Sequence, residues 1–122
     1  MKLNKYQEEA MKFAKYESFD YPFMALSEEV GEVFGKLAKY GRKNSASLNC
    51  IIENISNPSE YLSESEQELK QSVKKELGDV LWQLQACCYE LGISLEDVAQ
   101  SNIDKLSGRI ERGTIVGEGD ER

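Results

Sequence analysis

Residues 73–91 read VKKELGDVLWQLQACCYEL. Within them Val73, Leu77, Val80, Leu81, Leu84, Cys88 and Leu91 recur at three- and four-residue steps. At 100° per residue that spacing draws one apolar stripe down a helix. The pattern begins near residue 66, so the stretch predicts a single long helix over about 66–91. Gly92 ends it, and Ser94 with Asp97 has the form of a capping box that opens another helix. That next helix carries Leu95, Val98, Ala99, Leu106 and Ile110 to about residue 111.

The same period recurs upstream. Val30, Val33, Phe34, Leu37 and Ala38 predict a helix over about 24–40, with Gly41 as its C-terminal stop. Tyr6, Ala10, Phe13 and Ala14 predict a first helix over about 4–16. The segment ESFDYPF at 17–23 holds Pro22 and reads as a connection. Residues 42–64 are polar and serine-rich, contain Pro58, and read as a long loop with at most one helical turn near 50–55. A loop of that length in a small domain is either functional or a tolerated insertion. No segment alternates as a strand would. The expected fold is all-α, a four-helix-bundle-like single domain over 1–122, with 112–122 a glycine-rich tail.

Composition removes several chemistries. The chain has 122 residues, 40% hydrophobic and 30% charged, with 15 Lys plus Arg against 22 Asp plus Glu and a net charge of −7. That is a globular composition and a poor one for gripping a nucleic-acid backbone. With no histidine there is no Ser-His-Asp triad, no Cys-His dyad and no imidazole metal ligand. Three cysteines, Cys50 and the adjacent Cys87 and Cys88, fit neither a disulfide framework nor a zinc site. The amphipathic, charge-broken N-terminus is unlike a signal peptide, and no apolar run could span a membrane. A cytoplasmic protein is expected.

Two pairs of carboxylates stand out. Glu29 and Glu32 are i, i+3 neighbours beside the apolar edge marked by Val33, in the run Glu28-Glu29-Val30-Gly31-Glu32. Glu76 and Asp79 repeat the spacing beside Val80. Like charges at a core margin are costly unless a cation lies between them. Taken singly, each pair could be an ordinary solvated helix face. On two helices that pack together they make an all-oxygen set suited to Mg²⁺ or Mn²⁺.

The last helix adds Asn102, placed by the period inside the stripe of Val98, Ala99 and Leu106, with Lys105 and Arg109 along the same edge. A buried amide needs partners, and backbone groups with snorkelling cations would suffice. Beside an acidic metal site, an amide and two cations favour phosphate recognition.

These residues carry a resemblance. EEVGE at 28–32, ELGD at 76–79 and NIDKLSGR at 102–109 are similar to the EExxE, ExxD and NxxK signatures of MazG-like nucleotide pyrophosphohydrolases. The likeness extends through LSEEVGEV, KKELGDVLWQL and the closing GEGDER, about two-thirds of the chain in order. It implies an all-α enzyme that cleaves nucleoside triphosphates between the α and β phosphates, giving monophosphate and pyrophosphate. Dimeric dUTPases, dCTP pyrophosphatases and phosphoribosyl-ATP pyrophosphatases belong to the same superfamily. Carried over by motif, Glu29, Glu32, Glu76 and Asp79 would ligate Mg²⁺, with Mn²⁺ as a substitute. Glu28 would be an outer carboxylate or a base for the attacking water. Asn102 and Lys105 would hold phosphate or ribose, with Arg109 a weaker candidate. The EExxE form and the NxxKLxxR segment fit the MazG-like branch better than the phosphoribosyl-ATP enzymes.

The interval from Glu32 to Glu76 is long for that family and leaves base recognition open. Lys36, Lys39, Arg42 and Lys43 precede the loop as a basic cluster; Lys36 is a candidate phosphate contact, while Lys39 and Lys43 weigh slightly toward a solvated face. Among Tyr6, Phe13, Phe19, Tyr21 and Phe23, one could stack on a base and most are expected in the core. Trp82 points off its helix's stripe, which suggests exposure and a homodimer or homotetramer interface. Cys87 and Cys88 read as small core residues. The competing function is a non-enzymatic helical module that senses nucleotide or docks a partner.

Overall fold

A computed structural model describes residues 1–122 in full. The chain is all helical: α1 (Leu3–Met11), α2 (Tyr21–Asn44), α3 (Leu48–Ile55), a 3₁₀ turn (Ser59–Tyr61), α4 (Glu64–Glu90) and α5 (Leu95–Arg112). Its contacts group into two units, one of residues 16–84 and one of residues 1–15 with 85–122.

In the unit of residues 16–84, α2 is longer at both ends than its apolar period predicts. Pro22 lies in the first turn, where its missing N–H costs nothing and its fixed φ suits a helix, so the connection ends sooner than expected. Gly41 does not stop α2. The helix runs on to Asn44 and ends at Ser45, whose φ of 51° is left-handed, with Ala46 N–H donating to Gly41 O at 3.0 Å. Gly41 serves instead as a gap. A Cβ there would stand 3.0 Å from Ala46 O and 3.2 Å from Ile51 Cδ1. Arg42 and Lys43 sit in the last turn, where cations suit the negative end of the helix dipole.

The stretch read as a loop contains α3. Ser47 caps it by accepting from Cys50 N–H at 3.2 Å. Ile51 and Ile55, four residues apart, bury against Leu37 of α2 and Leu69 of α4, with Tyr40 and Val73 at the margin. α4 opens on a reciprocal capping box: Glu66 N–H donates to Ser63 Oγ at 3.2 Å, and Ser63 N–H donates to Glu66 Oε1 at 2.8 Å. Hydrogen bonds from the Ser63 backbone N–H and hydroxyl hold the Glu66 carboxyl below its ordinary pKa. From the same helix Gln67 donates to Ser59 O and Leu62 O, and Lys70 to Asn57 O, which pins the 3₁₀ segment to α4.

In the unit of residues 1–15 and 85–122, α1 packs against α5. α1 is shorter than expected. It tightens into i→i−3 bonds after Met11, so Phe13 falls outside the helix and stands exposed. Gln7 joins three pieces of chain, donating to Gln85 O and Ile93 O and accepting from Leu95 N–H at 3.1 Å. Ala10, Ala86, Cys87, Cys88 and Leu95 are buried, as the small-residue reading of the cysteines expects. Burial raises both thiol pKa values. Ser94 accepts from Asp97 N–H at 3.0 Å, so α5 begins as predicted. It closes on Gly113, whose φ of 70° favours glycine.

Two further expectations change. Phe19, Tyr21 and Phe23 are exposed rather than core. Trp82 is half-buried, its ring edge-on to Tyr16 at a centroid distance of 6.3 Å, because the chain leading into α2 folds over it.

Candidate metal centre and phosphate contacts

α2 and α4 each present one of the acidic pairs within the unit of residues 16–84. The structure brings Glu29, Glu76 and Asp79 together, with one carboxylate oxygen from each lying within 4.8 Å of the others. Glu29 and Glu76 are half-buried and Asp79 is exposed. Glu28 and Glu32 are exposed and lie outside that group of three.

Electrostatics mark the cluster as short of positive charge. The Glu29 carboxyl is held above its ordinary pKa, first by burial and then by the negative charges of Asp79, Glu76, Glu32 and Glu28. One cation is in reach: Lys36 Nζ lies 3.7 Å from Glu76 Oε1. It leaves two of the three carboxylates without a counter-charge. Hard oxygen donors, with no imidazole in the chain, fit Mg²⁺ or Mn²⁺.

Asn102 and Lys105 lie on α5 in the other unit and line a cavity of about 390 Å³ with Ile93, Asp97, Val98 and Ser101. Asn102 is exposed, not buried in the stripe. The apolar residues around it stop short of covering it: Ile103 and Ile110 are themselves exposed. The amide is therefore free for a ligand without the burial cost expected from the period.

Arg109 is the reverse case. Its side chain is only 6% exposed, and the C-terminal tail encloses it. Arg109 Nη2 donates to Gly119 O at 3.2 Å and Asp120 O at 3.1 Å, and Asp120 Oδ1 lies 3.6 Å from Nη2 and 3.5 Å from Lys105 Nζ. Arg109 Nε is buried without a partner. Arg122 donates to Thr114 O, Ile115 O and Gly119 O, so the tail is folded rather than trailing. The sequence reading missed Asp120 and Arg122 as partners. Their signal was the opposite charges of α5 and the tail, which no periodicity reports.

A family model described as the MazG nucleotide pyrophosphohydrolase domain matches residues 22–113. The chain is also 31% identical over 106 residues to the Gene 37 protein of Mycobacterium phage L5, an alignment covering 87% of this chain and 78% of that protein. No solved structure matches.

Proposed function

The chain belongs to the MazG nucleotide pyrophosphohydrolase family, and from that premise we propose that it hydrolyses (deoxy)nucleoside triphosphates at the α–β bond. Water adds to the α phosphorus, and the α–β bridging oxygen leaves with pyrophosphate. The product is a nucleoside monophosphate, and the role is housecleaning of the cytoplasmic nucleotide pool. Three unpaired cysteines agree with a reducing compartment.

The observation that carries this reading is the convergence of Glu29, Glu76 and Asp79 from α2 and α4. They would hold Mg²⁺, with Glu32 one turn along α2 available as a fourth ligand. When bound there, Mg²⁺ supplies charge neutralisation for the triphosphate and a more acidic water. The rest falls to the chain's own groups. Glu28, exposed beside Glu29, accepts the proton of the attacking water. Lys36 offsets charge on the phosphates, while the family motif alone assigns Asn102 and Lys105 of α5 to phosphate or ribose. Arg109 has a different task, anchoring the tail.

We also propose a homodimer or homotetramer. α2 leaves Val30 and Phe34 uncovered, and α4 leaves Leu77 and Leu81, with Phe34 59% and Leu77 52% exposed. Apolar faces of that kind are covered by association. No helix is long and apolar enough to cross a membrane.

The test is product analysis on a panel of NTPs and dNTPs with Mg²⁺ and with EDTA. Metal-dependent monophosphate plus pyrophosphate is expected. Diphosphate plus orthophosphate would place the cleaved bond elsewhere. No turnover by folded, metal-loaded protein would favour the nucleotide-sensing module.

A further inference from the structure

A groove in the unit of residues 16–84 has chemistry that the metal ligands do not use. It encloses about 310 Å³ between α2 and α4, and is lined by Lys36, Lys39 and Lys43 on one side and Ser65, Glu68 and Ser72 on the other. That volume is at the lower end for a small-ligand pocket.

The register of α2 explains the lysines. Lys36 and Lys43 follow Glu29 by seven and fourteen residues, so all three fall on one stripe of the helix, and Lys39 lies beside it. Each seven-residue step advances about 10.5 Å. On α4, Ser65, Glu68 and Ser72 continue the face that carries Glu76 and Asp79. The groove therefore begins at the carboxylate cluster, and the Lys36–Glu76 contact of 3.7 Å is its junction. Beyond it, Lys39 and Lys43 form no ion pair, although Glu68 is in the same groove.

We propose that this lysine groove is the seat of the β,γ-pyrophosphoryl group, the half of the substrate that leaves. The inference rests on the α–β cleavage proposed above. Lys36 touches both the carboxylate cluster and the groove, so a triphosphate whose reacting phosphates lie at Glu29, Glu76 and Asp79 would have its remaining phosphates within reach of Lys36 and, beyond it, Lys39 and Lys43. Three ammonium groups and two hydroxyl donors match a polyanion and give an uncharged nucleoside little to bind. Lys39 and Lys43 are thus binding residues for the leaving group rather than a solvated face.

The experiment uses inorganic pyrophosphate as the probe, read by ³¹P NMR titration and by product inhibition. The proteins are wild type and the Lys39→Gln/Lys43→Gln double variant, each with saturating Mg²⁺. Glutamine keeps the helix propensity and a polar side chain, one atom shorter, and removes the charge. The variant should bind pyrophosphate at least tenfold more weakly and show a raised KM for triphosphate. Its inhibition by nucleoside monophosphate and its Mg²⁺ affinity should be unchanged. Equal pyrophosphate affinity in both proteins would overturn the groove assignment, even if triphosphates are cleaved. If wild type cleaves no triphosphate, the proposed function falls and the leaving-group role with it, whereas lysine-dependent pyrophosphate binding would still support the groove as a pyrophosphate site. A variant that has lost its helical circular dichroism is replaced by the two single variants, each expected to show part of the loss.

Discussion

Lys36 and Glu76 stand as an ion pair of 3.7 Å at the edge of a carboxylate cluster, so the lysine competes with any metal for Glu76. Lys36→Gln should tighten Mg²⁺ binding by up to about fivefold, the upper range for a partly exposed pair. The same change should raise KM for triphosphate. Calorimetric Mg²⁺ titration beside steady-state kinetics checks both, and a parallel loss of metal and substrate affinity would contradict the competition.

Removing a ligand should be more severe. Glu76→Gln and Asp79→Asn keep shape and lose charge, and each should lower kcat/KM by more than about 100-fold, beyond the usual cost of losing an outer partner of a metal ligand. Metal titration of the same proteins should show the loss at the binding step.

Glu29 gives a pH signature. Its carboxyl pKa is raised in the folded chain above its value in the unfolded one, chiefly by burial and then by Asp79 and Glu76. Its protonated form therefore favours folding. That contribution is complete below the unfolded value and lost as pH rises through the folded one. Metal-free protein should thus carry strain from this cluster at neutral pH. Glu29→Gln should raise Tm at pH 7 in EDTA, and should abolish most of the Tm gain that Mg²⁺ gives wild type. Thermal unfolding with and without metal measures both effects.

What the sequence disclosed, and what it withheld, follows from which forces are periodic. Three long helices were readable because their apolar residues repeat over many turns, and the acidic pairs were readable because i, i+3 spacing fixes a shared face. α3 was hidden by its flanks. Its own octet, Leu48 to Ile55, repeats apolar residues at i, i+3, i+4 and i+7, but polar serine-rich segments surround it. Gly41 was misread because a glycine needed for close approach looks the same as one that ends a helix. Asn102 was misplaced because periodicity reports a face and not whether anything covers it.

Gly41→Val tests the close approach of α3. The new side chain must displace Ala46 O or Ile51, and overpacking of this kind costs about 1–3 kcal/mol, more than the small helix-propensity gain. Chemical denaturation should show a net loss of at least about 1 kcal/mol. An unchanged midpoint would mean that the 45–47 turn yields freely.

Tail and carboxylate separate cleanly around Arg109. Asp120 is 86% exposed, so Asp120→Ala should cost well under about 1 kcal/mol. Deleting residues 119–122 removes the two carbonyls that accept from a buried guanidinium, and should cost about 1–3 kcal/mol. Paired denaturation curves distinguish anchoring by backbone from anchoring by charge.

Cys50 is exposed on α3 and borders a cavity of about 480 Å³, whereas Cys87 and Cys88 are buried with raised pKa values. Thiolate access governs alkylation, so maleimide should modify the native chain once and at one address. A fluorophore placed there needs no engineered cysteine, and it sits on the helix that closes over Leu37 and Leu69. The wild-type protein thus carries its own optical reporter of α3 undocking.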